Sequence, residues 1–236
     1  MVEEAEPTVS PDEVEPDQVE PDGPSLEQLT AEVAEWLVAA RLEPILVDPD
    51  GWPAELVALI DQVGESDSAR AAAVWADLVA AAGAGPGLQH PNALQARGHW
   101  ARWLGASGQA QRGLSEVDAV VAEQTRQLGP DHRDTLTSRV WQADLIGAAG
   151  DLERSIEQLE AVLADQRALW PGPNFDTITT RSLLSQRLGE AGRQPEGLSL
   201  AIEVMEDIPL ALAAIFEEVD QILDPADGAA PLDPEE

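Results

Sequence analysis

The hydrophobic pattern of the chain repeats itself every 42 residues between about residues 86 and 207. The aligned apolar positions are Leu94, Leu136 and Ile178, then Leu104, Ile146 and Leu188, then Leu114, Ile156 and Leu198. Arg97, Arg139 and Arg181 also align, as do Gly108, Gly150 and Gly192. Three copies keep one register without an insertion. A fixed period of this size is the signature of a stacked repeat architecture.

Each copy is predicted to form a helical hairpin. In the middle copy, a first helix over about 134–149 carries Leu136, Val140 and Ile146, and a second over about 152–169 carries Ile156, Leu159, Val162 and Leu163. Gly150 and Asp151 stand between them, as a left-handed stop and an N-cap. Because one hairpin cannot bury its apolar stripe alone, the pairs are expected to stack into an all-α, right-handed solenoid.

The repeats are flanked by further predicted helices. Ser25 and Gln28 form a capping-box pattern before a helix over 26–41, and a degenerate repeat covers helices over 53–63 and 69–82. Pro209 is expected to interrupt the last repeat and to start a helix over 209–223. That helix either caps the end of the stack or docks a partner through its acidic face of Glu217, Glu218 and Asp220.

The resulting division of the chain has five parts. They are an acidic disordered tail (1–24), N-terminal helices with the degenerate repeat (25–85), three repeats (86–207), a C-terminal capping helix (208–223) and a second acidic disordered tail (224–236).

Charge is concentrated in the two flanks. Of a net charge of −32, −12 lies in residues 1–40 and −12 in residues 194–236, because neither segment contains a basic residue. The first 24 residues carry almost no large apolar side chain and are expected to be disordered. Lysine and cysteine are absent, which excludes thiolate chemistry and is typical of a GC-rich genome such as that of an actinobacterium. No secretory signal or membrane span is visible, so a cytoplasmic location is expected.

The stretch LGPDHRDTL, residues 128–136, looks most like an active site. Its histidine, His132, occupies a repeat column with His90 and Asn174 at the predicted starts of helices. A device that recurs at fixed spacing indicates a structural role, with Asp134 as the expected cap of the helix amides. His90 and His99 lie nine positions apart, which does not suit a helical metal pair. We therefore expect no catalytic residue, no cofactor and no metal.

The same residues resemble a known repeat. Leu128, Gly129, His132 and Thr135 are similar to the opening of the long tetratricopeptide repeat (TPR) of the kinesin light chain type. His90 and Pro91 match it in the preceding copy, and the small residues Ala101, Ala143 and Ser185 match where the two helices cross. Arg133 and Phe175 depart from the usual proline, and the asparagines common on the first helix are missing.

The resemblance implies a concave groove lined by the first helix of each hairpin. The residues it places there are Gln95, His99, Arg102, Trp103, Thr137, Trp141, Asp144, Thr179, Leu183, Gln186 and Arg187. Trp103 and Trp141 are candidate anchors for a peptide, since tryptophan is enriched at binding hot spots. The alternative, that both tryptophans pack between repeats, stays open, whereas Trp100 falls in the apolar packing column.

These features favour a non-catalytic adaptor or regulatory partner that binds a protein or peptide in the groove. A second hypothesis is an acidic antagonist or chaperone of a basic partner, acting through the tails. A third is a regulator that responds to a short peptide. Direct binding of nucleic acid is disfavoured because acidic residues outnumber the arginines even in the central segment. No membrane partner is expected, and the oligomeric state is left open.

Overall fold

The computed structural model describes residues 24–40, 42–46, 48 and 51–223, and all regular structure in them is helical. The helices are α1 (Leu26–Ala40), α2 (Leu42–Leu46), α3 (Ala54–Ser66), α4 (Ser68–Ala84), α5 (Pro91–Ala106), α6 (Ala110–Leu128), α7 (Arg133–Ala148), α8 (Leu152–Leu169), α9 (Phe175–Glu190) and α10 (Gln194–Leu223). The all-α prediction is thus confirmed for this part of the chain. Apart from Pro24, the predicted tails 1–24 and 224–236 lie outside the described residues.

Successive helices form hairpins that stack on one another. Helices α3–α4, α5–α6, α7–α8 and α9–α10 pair, and the first helices α5, α7 and α9 contact each other in turn. The predicted middle hairpin is confirmed, because α7 and α8 begin and end within a residue of the predicted bounds. Asp67 extends the register to α3–α4: like Asp151 two repeats later, its carboxylate accepts a hydrogen bond from a first-turn amide.

Small residues allow the two helices of each hairpin to cross closely. A Cβ built at Gly113 would lie 2.5 Å from the carbonyl oxygen of Ala101. One repeat later, the Ser155 hydroxyl donates to the carbonyl of Ala143 at 2.6 Å. In the third copy Ser185 donates to the carbonyl of Gly197 at 2.8 Å. The small crossing column implied by the TPR resemblance therefore corresponds to direct contact between the two backbones.

The repeated arginine column connects the helices within each hairpin. Arg139 on α7 pairs with Asp165 on α8 at 2.8 Å, and Arg181 on α9 pairs with Asp207 on α10. Asp165 and Asp207 are themselves one repeat apart. The arginines of this column thus have a structural role inside the stack.

The column of His90, His132 and Asn174 supplies the N-caps of α5, α7 and α9. The Nδ1 atom of His132 accepts a hydrogen bond from the backbone N–H of Asp134 at 3.2 Å, and His90 accepts from Asn92 in the same way at 3.3 Å. In the third copy, Asn174 Oδ1 accepts from the N–H of Thr177 at 2.9 Å. The expectation that Asp134 caps α7 is corrected, because His132 is the cap and Asp134 lies inside the first turn.

This geometry predicts how substitutions at His132 behave. The His132→Asn variant should unfold at nearly the wild-type temperature, because asparagine already caps α9 from the same column. The His132→Ala variant should lose about 1 kcal/mol of stability, the usual cost of a missing N-cap. Thermal unfolding of both variants, followed by circular dichroism, checks this. Equal losses for Asn and Ala would show that the cap hydrogen bond contributes nothing.

Gly150 ends the turn between α7 and α8 with a φ of 102°, as predicted. A Cβ at this position would meet no atom within 4 Å, so only the backbone conformation requires glycine here. Gly189, within α9, has equally open surroundings and is not among the glycines with positive φ.

The two glycines form a matched pair. We expect Gly150→Ala to destabilise the protein by about 1–2 kcal/mol, the cost of a left-handed alanine. Gly189→Ala should instead be neutral or stabilising by up to about 1 kcal/mol, since alanine is the better helix former. Urea titration of both variants measures the difference. Similar changes of one sign would contradict the turn assigned to Gly150.

The expected break at Pro209 is wrong. Helix α10 is continuous from Gln194 to Leu223 with Pro209 inside it, so no separate helix begins there. A proline removes the hydrogen bond to the carbonyl four residues earlier, here that of Met205. Met205 is 73% exposed, so water can satisfy that carbonyl. The first half of α10 completes the third hairpin, and the second half extends beyond it.

The N-terminal end is closed by packing that the sequence did not indicate fully. Leu29 and Val33 of α1 are buried in one core cluster with α3 to α5. The short helix α2 was not predicted. It is held by the buried Asn92, whose amide donates to the carbonyl of Ile45 at 2.8 Å. The capping box before α1 is confirmed, with reciprocal bonds between Ser25 and Gln28.

Candidate functional site

The surface formed by α5, α7 and α9, here called the A-helix face, contains two adjoining clefts. Cleft 1 has a volume of about 200 Å³ and is lined by Trp52, Val57, Gln95, His99, Gln124, Asp134, Thr137, Ser138 and Trp141. Cleft 2, of about 510 Å³, is lined by Arg102, Thr137, Val140, Trp141, Asp144, Gln166, Asp176, Thr179, Thr180, Ser182, Leu183 and Gln186. Thr137 and Trp141 belong to both, so α7 separates the two clefts.

Cleft 2 repeats the lining of cleft 1 one register later. The pairs of lining residues that lie 42 positions apart are Gln124 and Gln166, Asp134 and Asp176, Thr137 and Thr179, Ser138 and Thr180, and Trp141 and Leu183. Each cleft therefore has a carboxylate, two hydroxyls, a carboxamide and one large apolar side chain in the same arrangement. The repeat of the sequence has become a repeat of surface chemistry.

Trp141 stands on the ridge between the clefts and is half-buried. Its ring packs over Gly98, where a built Cβ would lie 2.6 Å from Trp141 Cζ3. It also contacts the His99 ring, with centroids 4.8 Å apart. Glycine at position 98 thus makes room for the indole, and the rest of the ring lines both clefts.

A row of aromatic rings leads from the core to this ridge. Trp52 and Trp75 meet edge to face at 5.7 Å, and Trp75 stacks on His99 with centroids 4.4 Å apart and planes 10° from parallel. Trp75 is fully buried. The rings of His99 and Trp141 are therefore supported from below by the hydrophobic core.

His99 is uncharged at neutral pH. Desolvation by burial, together with the nearby Arg102 guanidinium, lowers the pKa of His99 to about 3. Its Nδ1 atom is buried and makes no hydrogen bond within the described structure. A histidine in this state contributes ring surface to cleft 1 and does not exchange a proton near neutrality.

The depressed pKa predicts a pH effect on stability. Between about pH 6.5 and pH 3 the unfolded chain protonates His99 and the folded chain does not. His99 therefore contributes stability that is fully present above about pH 6.5 and is lost as the pH falls toward 3. We expect His99→Phe, which keeps an aromatic ring on Trp75, to lose less stability than wild type between pH 7 and pH 4.

The measurement is the difference in melting temperature between the two proteins at each pH. The many carboxylates are common to both and largely cancel in this difference. A difference that stays constant from pH 7 to pH 4 would show that His99 is not held neutral.

Gln124 on α6 and Gln166 on α8 were missed by the sequence-based reasoning. They are 1% and 2% exposed, and the Oε1 atom of each makes no hydrogen bond within the described chain. Their carboxamides form the floors of cleft 1 and cleft 2. The available signal was a glutamine recurring after 42 residues in a helix whose neighbouring inward positions are apolar.

The structure brings most of the predicted groove residues together. Gln95, His99, Thr137 and Trp141 line cleft 1, and Arg102, Asp144, Thr179, Leu183 and Gln186 line cleft 2 with Thr137 and Trp141. Two residues lie elsewhere. Trp103 is 6% exposed, packs against Gly64 of α3, and donates its indole N–H to Asp61 at 3.2 Å. For Trp103 the packing alternative therefore describes its position, whereas the nearby Trp100, expected in the core, is only half-buried.

Arg187, also predicted in the groove, lies between α7 and α9. It is 8% exposed and pairs with Asp144 of the preceding repeat and with Glu190 of its own helix. Its guanidinium occupies the space beside Gly147, where a Cβ would lie 2.8 Å from the Arg187 Nε. Arg187 therefore fixes the spacing of two repeats and is not available to a ligand.

Charged groups at the clefts already have partners. Asp134 accepts from the Gln95 amide at 3.0 Å, and Asp176 pairs with Arg133 at 2.9 Å. Arg102 pairs with Asp61 at 3.2 Å. These bonds connect one repeat to the next, so the clefts are ordered before any ligand arrives.

Two searches of the described residues bear on other kinds of site. No group of three or more His, Cys, Asp or Glu side chains is placed to hold a metal ion there. Among the helices that the structure describes, none is both long and apolar enough to span a bilayer.

Comparison with known proteins places the fold. No protein-family model matches the chain, and no curated protein matches it. Among solved structures, a kinesin light chain of Podosopora anserina with nearly identical TPR-like repeats is 22% identical over 77% of this chain and 84% of that one, with a TM-score of 0.49. BtubC (BKLC) from P. vanneervenii is 14% identical over 89% of this chain and 84% of its own, with a TM-score of 0.55. At these identities the likeness is one of fold, and the chain's structural neighbours are TPR-like repeat proteins.

Proposed function

We propose that the chain is a non-catalytic adaptor or regulatory partner that binds an extended segment of another protein along the A-helix face. The observation that carries the proposal is the repetition of one cleft lining across α7 and α9. A polypeptide ligand is itself repetitive, so a surface that repeats its chemistry matches an extended segment better than a compact metabolite. The TPR-like fold, usually an interaction scaffold, supports the same conclusion.

The spacing of the clefts suits such a segment. Neighbouring packed helices lie about 8–10 Å apart, and an extended chain rises about 3.3 Å per residue. Equivalent side chains of the ligand would then recur about every third residue. Cleft 1 and cleft 2 would receive consecutive members of that series, on either side of the Trp141 ridge.

The chemistry of the clefts indicates a ligand rich in hydrogen-bond donors. Asp134 and Asp176 each retain acceptor capacity, since a carboxylate has about four lone-pair sites. The Gln124 and Gln166 carboxamides are not fully satisfied. Backbone N–H groups and polar or basic side chains of a partner would supply the missing donors, while Trp141 and Leu183 contribute apolar contact.

The second candidate function is an acidic antagonist of a basic partner that acts through the flanks, which carry −24 of the net charge of −32. The two functions make opposite predictions. If the A-helix face binds the partner, deleting residues 1–23 and 224–236 should leave binding nearly intact. If the flanks bind it, the deletion should abolish binding, and binding by the full chain should weaken steeply with salt.

The experiment uses partners recovered from native lysate on the immobilised full chain, then re-tested on variants. Thr179→Arg places a large cation in cleft 2, at a position already exposed. Glu157→Arg, exposed on α8 and lining neither cleft, is the matched control. The proposal requires that Thr179→Arg loses the partner while Glu157→Arg and the tail deletion retain it. Loss in the tail deletion alone would favour the acidic antagonist.

A further inference from the structure

Helix α10 exposes a continuous apolar stripe at the C-terminal end of the stack. The residues that form it are Leu198 (64% exposed), Ile202 (57%), Met205 (73%), Leu212 (43%) and Phe216 (66%). Their spacings of three, four and seven place them on one side of the helix. The predicted role of this end of the chain as a cap does not account for the stripe, since these side chains cover nothing.

Comparison with the preceding hairpin shows what the stripe lacks. Ile156 and Leu163 of α8 are 3% and 4% exposed, and they share a core cluster with Leu184 and Leu188 of α9, the first helix of the next hairpin. Leu198 and Met205 occupy the same columns of α10, 42 residues later. Where α8 is covered by a following helix, α10 presents the same positions without one. The stripe is therefore a seat shaped for a helix.

The sequence that follows does not provide that helix. Residues 224–236 hold five acidic residues and a single large apolar one, Leu232. A segment of this composition has no amphipathic face to lay against the stripe.

Charge identifies the kind of helix that fits. Residues 194–223 contain seven acidic residues and no basic one. Glu206, next to Met205 at the edge of the stripe, is exposed and forms no ion pair within the described residues. A second copy of the chain would place the same negative charges against each other, which is unfavourable. A helix with lysine or arginine beside its apolar positions would be complementary.

We propose that the stripe on α10 docks a basic amphipathic helix of a partner protein, which adds to the stack as its next helix. The apolar face of that helix would cover Leu198, Ile202 and Met205, and its basic flank would lie along Glu206. This surface is separate from the A-helix face, so the two can be occupied independently.

The test uses a defined probe on the full chain. A fluorescent peptide of about 18 residues, or five helical turns, carries leucines at helical spacing and lysines on the flanks. A second peptide keeps the leucines and replaces every lysine with glutamate. Fluorescence anisotropy should show binding of the lysine peptide, weakening with added salt, and no binding of the glutamate peptide.

Variants assign the site. The double variant Leu198→Ser, Met205→Ser should weaken binding by about tenfold or more, because it removes the two most exposed apolar side chains of the seat. Leu169→Ser, which removes an apolar side chain that is 41% exposed outside the stripe, is the control and should bind normally. Since both seat residues are exposed, circular dichroism should show an unchanged fold.

Three results would overturn the proposal. Unchanged binding by the double variant would place the peptide elsewhere, on the acidic flanks or the A-helix face. Equal weakening by Trp141→Ala would assign it to the A-helix face. A concentration-dependent dimer in analytical ultracentrifugation that the double variant abolishes would identify a second copy as the occupant.

Discussion

Replacing Trp75 with alanine is expected to lower the free energy of unfolding by about 3–5 kcal/mol, the range for deleting a fully buried tryptophan. Trp75 has no exposed surface, and its ring contacts both Trp52 and His99. Truncation leaves a cavity that these neighbours cannot fill without leaving their own positions. Urea unfolding measures the loss directly.

The same variant carries a second readout, because Trp75 is one wall of the site that desolvates His99. Water entering the cavity should raise the pKa of His99 from about 3 toward its ordinary value of 6.5. Proton NMR titration of the His99 ring follows this change. Trp75→Phe, which keeps a stacked ring, should show smaller changes in both stability and pKa. If Trp75→Ala costs no more than the half-buried Trp100→Ala, the aromatic row is not part of the core.

Replacing Trp141 with alanine is expected to weaken partner binding by about 2 kcal/mol or more, roughly thirtyfold. Trp141 is the one large aromatic side chain that lines both clefts. Its half-buried position supports a binding role, since part of the ring remains available to a ligand. Removing it should merge the two clefts and take away the apolar ridge between them.

The control for Trp141 is Trp100→Ala. Trp100 is half-buried to a similar degree, lines neither cleft, and has the Arg112 guanidinium 5.1 Å from its ring. Melting curves and partner affinities should be measured on the same preparations. Equal affinities for the two variants, with Trp141→Ala strongly destabilised, would make Trp141 a packing residue only.

The sequence predicted those features that are local and recur. The hairpin bounds, the positive φ of Gly150 and the Asp151 cap all follow from a few neighbouring residues. Three aligned copies separate such signals from chance. The small crossing column could be predicted for the same reason, since close approach of two helices excludes large side chains at one position per repeat.

Features that depend on contact between repeats could not be predicted in this way. Trp103 fits against Gly64 because the degenerate repeat has a glycine there, and nothing in the spacing within α5 shows it. Arg187 has the same repeat column as Leu145 and still forms a cross-repeat ion pair with Asp144. Pro209 does not end α10, because the carbonyl that loses its partner faces solvent, which local propensity does not report.

The central claim is that a partner segment lies along the A-helix face. Site-specific photo-crosslinking tests it most directly, with a photoreactive residue placed at Thr179 in cleft 2 and, separately, at Glu157 on α8. Both positions are exposed, so the fold should tolerate either substitution. The account predicts a covalent adduct with the partner from position 179 and none from position 157. Crosslinking from position 157 and not from 179 would contradict it.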